Sequence, residues 1–325
     1  MDFKAAVLSK VEAPLEIHDV EMTGLKPNDV LVRNHASGLC HTDFEVIHGS
    51  LRFPLPIVLG HEASGVVEAV GEAVTLVKPG DHVVCSWNPN CGHCFYCDQD
   101  LPILCEPFSR HVPSEIPFDR ACLIGCGVMT GVGAVLRVAR VQPGTSVVVI
   151  GCGAVGLNAI QGARLAGAEP IMAVDIHQEK LLMATAFGAT HTSLAGRDDV
   201  PSVVQGLTRG RGADHVIEAA GIDNTLQLSL DVSRPGANVI LLGKTDVTRE
   251  VHIRWGSMMA ERRIVRSSYG GARPRRDFPL LARLYLDGRL MLDELITRRI
   301  SLHEINDGFS DMAKGSLVRA VVQMN

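Results

Sequence analysis

The fold is decided between Leu123-Ile124-Gly125-Cys126-Gly127 and Ser146-Val147-Val148-Val149-Ile150-Gly151-Cys152-Gly153-Ala154-Val155-Gly156. A run of Val and Ile followed by a turn predicts a buried parallel strand. The three glycines at G-x-G-x-x-G spacing let the backbone turn tightly and approach a pyrophosphate at a helix N-terminus. Upstream, Cys126 is a thiol flanked by glycines and a candidate metal ligand. The residues before this stretch are expected to build a metal site, and most of those after it a cofactor site.

Downstream, residues 157–166 have helical spacing with Gly167 as a stop, and residues 170–175 form a second strand ending in an acid. Asp175 thus lies about twenty residues beyond the glycine turn, where a carboxylate accepts hydrogen bonds from ribose hydroxyls and repels a 2'-phosphate. NAD is favoured over NADP. Residues 181–188, 213–218 and 236–243 continue the alternation, which predicts a parallel sheet covered on both faces, with ligand beyond the carboxyl ends of its strands.

Upstream, residues 3–8, 15–20, 30–36, 66–71 and 81–84 are short β-prone segments punctuated by Pro14, Pro27 and Lys78-Pro79-Gly80-Asp81. With no convincing helical period, the first 120 residues predict an irregular β-barrel. Within them, Cys40-His41-Thr42-Asp43 and Gly60-His61-Glu62 each follow an apolar segment. Cys40 and His61 could converge on one zinc ion, or each could be an ordinary core or loop residue. Asp43 could hold the distal nitrogen of His61, and Glu62 could lie behind the metal or face solvent.

Cys91, Cys94, Cys97 and Cys105 stand at separations of three, three and eight. Overlapping C-x-x-C hooks closed by a fourth thiol suit a tetrahedral structural zinc, with a disulfide lobe or a redox pair as alternatives. The chain has 325 residues, 46% hydrophobic and 21% charged, with nine cysteines and a net charge of -5. The length suggests roughly two domains. The charge, with no basic cluster, argues against nucleic acid. The first apolar run is too short for a signal peptide, and residues 121–136 fall short of the ~18 that suggest a membrane span. A cytoplasmic location with reduced thiols is expected, and it favours metal ligation.

In this order, Cys40-His-Thr-Asp43, Gly60-His-Glu62, the four-cysteine lobe, Ile124-Gly-Cys126-Gly and Gly151 to Gly156 resemble the zinc-dependent alcohol dehydrogenases of the medium-chain dehydrogenase/reductase superfamily. The resemblance implies an α/β fold, with a GroES-like catalytic domain over 1–127, a Rossmann NAD-binding domain over 128–271 and a C-terminal return over 272–325. It implies a catalytic zinc on Cys40, His61 and Cys126, with Asp43 and Glu62 around it and Thr42 relaying the proton. A structural zinc on Cys91, Cys94, Cys97 and Cys105 makes two zinc ions per chain. NAD would meet His41, Thr130, Gly151, Gly153, Val155, Gly156, Asp175, Lys180 and Arg319. Residues 251–271 resemble the segment through which the family joins sheets edge to edge, so a homodimer or homotetramer is expected.

Two departures stand out. The chain is tens of residues shorter between Cys105 and Cys126 than is usual, and Glu45 replaces a histidine of the proton relay. Trp87 matches a pocket position and favours an aromatic or apolar alcohol. Leu51 stands where the subgroup acting on glutathione adducts of formaldehyde carries an acid. The leading expectation is reversible hydride transfer between a primary alcohol or aldehyde and NAD. The alternatives are a non-catalytic or impaired NAD-binding homologue and a zinc-free quinone or enoyl reductase.

Overall fold

The computed structural model describes residues 2–22, 24–87, 97, 116–244, 248–315 and 317–324. The chain divides into two compact units, residues 1–126 with 273–325, and residues 127–272. In the first lie β1 (Asp2–Leu8), β2 (Glu16–Glu21), β3 (Val30–Gly38), β4 (Ile57–Val58), β5 (Glu62–Val70) and β6 (His82–Val84). The second holds β7 (Val147–Ile150), β8 (Ile171–Asp175), β9 (His191–Leu194), β10 (Ala213–Glu218), β11 (Ser233–Leu241) and β12 (Arg263–Arg266). The chain then returns to the first with β13 (Ile296–Ile300) and β14 (Arg319–Gln323).

Among the described residues the first unit has two sheets, ordered β2-β1-β4 and β13-β14-β3-β5-β6. The register of β3 against β5 shifts between Leu31 and Val32 and between Asn34 and Ala36. Such irregularities raise the local twist and bend a sheet. One core joins both ends of the chain, packing Leu8, Leu15 and Leu39 with Ile300, Ile305, Phe309 and Val322. Asn306 clips the two ends together: its Oδ1 accepts from the Leu15 N–H at 2.9 Å, and its Nδ2 donates to the Leu15 carbonyl at 3.0 Å.

The β reading of this region missed a helix, His41–Ile47. Seven residues are too few to display a helical period, and the helix is fixed locally instead. Asp43 Oδ2 accepts from the Cys40 N–H at 3.2 Å, satisfying one donor that the helix start leaves open. Residues 121–136 also differ from expectation. They belong to a 22-residue helix, Phe118–Ala139, long and apolar enough to cross a membrane, but 72% of its apolar window is buried inside the protein. That is the burial of a core helix. It widens into π turns over Ile124–Val128 and Ala134–Ala139.

The second unit is a six-stranded, wholly parallel sheet ordered β12-β11-β10-β7-β8-β9. All four residues of β7 are buried. Burying each such Val or Ile contributes about 1.5–3 kcal/mol, which explains why a central strand needs no polar alternation. Strand order reverses beside β7, whose neighbours are β8 and β10, and ligands of such sheets bind beyond the carboxyl ends at that reversal.

Candidate metal and dinucleotide sites

Cys40 sits between the end of β3 and the helix His41–Ile47, His61 directly precedes β5, and Cys126 lies in the π turn Ile124–Val128. Folding brings them together: one donor atom each from Cys40, His61, Glu62 and Cys126 all lie within 4.8 Å of one another. The sulfurs of Cys40 and Cys126 are 3.8 Å apart. Two thiolates bound about 2.3 Å from one tetrahedral ion would stand at about that separation.

His61 is already oriented for a ligand. Its Nδ1 lies 3.2 Å from Asp43 Oδ1, while its Nε2 is buried without a hydrogen-bond partner. A carboxylate on one ring nitrogen fixes the tautomer that leaves the other free to coordinate. Thr42 Oγ1 lies 3.6 Å from Cys40 Sγ, and the Trp87 ring stands edge-on to His61 with centroids 6.2 Å apart.

The electrostatics fit the same cation. The Cys126 thiol, hydrogen-bonded to Cys40, holds the Cys40 sulfur well below its ordinary range despite burial, and the same bond raises Cys126. Burial opposes a charge on His61, but Asp43 and Cys40 outweigh it and raise the ring to about 10. Burial pushes Glu62 up to about 8, more than Arg319 pulls it down. Cys40 is thus drawn toward its thiolate and His61 toward its protonated ring, a positive charge held beside a sulfur. A divalent ion there would take over from the His61 proton, and the S,N,S donor set suits zinc.

Arg319 is buried and meets two partners within this unit. Its Nη1 donates to the Leu39 carbonyl at 2.8 Å, and its Nη2 lies 3.1 Å from Glu62 Oε1. The latter contact is an ion pair by distance but not aligned as a hydrogen bond, so both Glu62 oxygens lack one. This pairing was not foreseen from the sequence, in which the two residues lie far apart. Its only sequence signal is the lone arginine of a terminal strand.

In the second unit each glycine of the turn has its own reason. Gly151 has φ +92°, a left-handed value that favours glycine. A methyl group added at Gly153 would meet nothing within 4 Å, so the backbone there is open to close approach. One added at Gly156 would stand 1.8 Å from the Gly151 carbonyl oxygen, so only glycine lets the helix Ala154–Leu165 pack this near the strand. Asp175, at the end of β8, accepts from the Cys152 N–H at 2.7 Å and the His177 N–H at 2.9 Å. The acid is tied to the glycine turn itself.

Thr130 and Val155 are half-buried where the helix Met129–Gly133 crosses the helix Ala154–Leu165; a methyl on Gly131 would stand 2.4 Å from the Val155 carbonyl oxygen. Lys180 is half-buried on the helix after β8. His41 is exposed and stacks on Phe44, outside the donor cluster. Cys97 is half-buried, while Cys91, Cys94 and Cys105 lie outside the described residues.

Sequence reasoning also passed over Glu218. Buried at the end of β10, it accepts from the Ala220 and Gly221 N–H groups and from Thr225 Oγ1 at 2.7–2.8 Å, bracing the loop opposite Gly151. An acid before Ala-Ala-Gly at a strand end was the available signal.

The alcohol dehydrogenase GroES-like domain family matches residues 26–168, and the zinc-binding dehydrogenase family matches residues 154–287. The chain is 36% identical to an NDMA-dependent alcohol dehydrogenase of Amycolatopsis methanolica over 367 aligned positions, covering 99% of each. It is 35% identical to the S-(hydroxymethyl)glutathione dehydrogenase of Paracoccus denitrificans, covering 99% of this chain and 100% of the relative. The structure of benzyl alcohol dehydrogenase from Acinetobacter calcoaceticus matches at a TM-score of 0.95 and 29% identity, covering 100% of each chain. Two-domain architecture and likeness together define an oxidoreductase. The chain belongs to the zinc-dependent alcohol dehydrogenases of the medium-chain dehydrogenase/reductase superfamily.

Proposed function

We propose that this alcohol dehydrogenase is NAD-linked, holds a catalytic zinc on Cys40, His61 and Cys126, and interconverts primary alcohols and aldehydes. The observation that carries the reading is the meeting of two sulfurs and one oriented imidazole within 4.8 Å. Zinc would supply Lewis acidity toward a hydroxyl or carbonyl oxygen and NAD a hydride acceptor.

The chain's own residues do the rest. Asp43 keeps His61 in the coordinating tautomer. Thr42, whose hydroxyl lies 3.6 Å from the Cys40 sulfur, would take the proton of the substrate hydroxyl while passing its own outward. Trp87, partly exposed beside His61, offers an aromatic wall and supports an apolar or aromatic substrate. The open backbone at Gly153 would receive the pyrophosphate at the start of the helix Ala154–Leu165, and Asp175 would accept from the adenosine ribose. Thr130 and Val155 would press on the nicotinamide, and His41, Lys180 and Arg319 would complete the cofactor's polar contacts.

A second zinc on Cys91, Cys94, Cys97 and Cys105 belongs to the same proposal, as does a cytoplasmic location, where those thiols stay reduced. A homodimer or homotetramer fits the exposed Trp255 and Met259 in the segment leading to β12, the edge of the parallel sheet. NADH formation measured over a panel of aromatic and aliphatic alcohols, with NADP as the competing cofactor, tests the reading. Turnover of primary alcohols with a preference for NAD supports it, and its absence with every alcohol refutes it.

A further inference from the structure

Among the contacts between the helix that carries Cys126 and the sheet that follows His61, where the Phe118 ring also packs against His35 and His82, two bear on the ligands, and both lie within the first unit. At its start, Ser64 Oγ donates to the Phe118 carbonyl at 2.6 Å, and Ser64 is fully buried on β5, two residues after Glu62. At the ligand end, Gly125 lies against the chain leaving β6. A methyl group on its Cα would stand 2.7 Å from the Cys85 carbonyl oxygen and 3.1 Å from Val84 Cγ1. The first of these is backbone, which cannot swing aside as a side chain can.

Both points are registered on the strand of the metal site. Val84 pairs with Ser64 across β5 and β6, and the Cys85 N–H donates to the Ala63 carbonyl at 2.8 Å. Ala63 directly follows His61 and Glu62 in the chain. The placement of Cys126 against His61 therefore runs through a short series of backbone contacts: Gly125 to Cys85, Cys85 to Ala63, Ala63 to the ligand.

We infer that Ser64 and Gly125 are positioning residues for the metal centre. The Ser64 hydroxyl holds the start of the helix, and the bare Cα of Gly125 sets how deeply it seats. Together they bring the Cys126 sulfur to 3.8 Å from the Cys40 sulfur. The inference rests on reading Cys40, His61 and Cys126 as the ligands. Bulk at Gly125 lifts the helix from Cys85 and draws the third donor away from the other two. A donor displaced by a few tenths of an ångström still binds, but in a distorted shell and less tightly.

Cobalt(II) exchanged into the protein reports this directly, because thiolate-to-cobalt charge transfer depends on the sulfur geometry. The component of the spectrum that Cys40→Ser removes belongs to this centre and not to the cysteines at 91, 94, 97 and 105. Gly125→Ala is expected to shift that component at full occupancy and to release cobalt to a chelator about 10–100-fold faster. Ser64→Ala, which removes a tether without adding bulk, is expected to release it faster as well, with a smaller spectral shift. A purely structural role would lower the melting temperature and leave the spectrum alone. Wild-type spectra and release rates in both variants would overturn the inference, and Ser64→Ala decides it alone should Gly125→Ala not fold. If Cys40→Ser keeps the whole spectrum, the ligand reading fails, and this inference with it.

Discussion

Asp43 Oδ1 lies 3.2 Å from His61 Nδ1, and its other oxygen accepts from the Cys40 N–H. One carboxylate thus fixes the imidazole and the turn bearing the thiol, so two of the three donors share a single positioning group. Its removal should be felt at the metal more than in the fold. Asp43→Asn is expected to weaken zinc binding about 10–100-fold, measured by competition with a chromophoric chelator. Unchanged affinity would mean that Asp43 does not orient the ring.

The glycine turn separates fold from binding. Gly153→Ala adds a methyl into open space, so its unfolding midpoint should match the wild type while NAD affinity falls, by about 1–2 kcal/mol or roughly tenfold. Gly156→Ala meets the Gly151 carbonyl at 1.8 Å and should cost about 3 kcal/mol or more of stability. Urea unfolding beside NAD titration distinguishes the two, and equal stability losses would contradict the assignment.

Asp175 is the residue on which the proposed preference for NAD rests. In the proposed reading, Asp175→Ala would remove the acceptor for the ribose and the charge that opposes a 2'-phosphate. NAD should lose roughly tenfold in kcat/KM, about 1.4 kcal/mol, while NADP gains. An unaltered cofactor ratio would show that the acid serves only the Cys152 and His177 N–H groups it already holds.

Acid stability has an identifiable contributor in the second unit. Burial alone would raise Asp214, but hydrogen bonds from Ser146 and the Arg234 guanidinium outweigh it and lower the group to about 2. Because the folded value is depressed, this stabilisation is complete above the ordinary carboxylate range and is lost as pH falls through about 2. Asp214→Asn should therefore cost about 1–3 kcal/mol at neutral pH and progressively less in acid, read from urea unfolding across that range. A penalty independent of pH would assign the effect to packing.

The parts of this architecture legible in the sequence are those whose geometry is local. Gly151 to Gly156 and Asp175 belong to one strand, turn, helix and strand, so spacing alone carries the arrangement. Cys40, His61 and Cys126 are remote from one another, and only the order of whole motifs related them; their 3.8 Å sulfur contact exists only after folding. The helix His41–Ile47 is too short to show a period. Residues 121–136 of Phe118–Ala139 carry no charge and include Gly125, Gly127, Gly131 and Gly133, so no stripe distinguishes them from a run of loop and strand. The pairing of Glu62 with Arg319 joins opposite ends of the first unit, and neither residue's neighbours announce it.

Zinc content per chain, determined for the wild type and for Cys40→Ser alongside alcohol-dependent NADH formation, is the measurement closest to the central claim. One zinc fewer in the variant, with turnover lost and the fold retained by circular dichroism, is the result the three-donor centre predicts. Cys40→Ser with a full complement of zinc and wild-type turnover would contradict it.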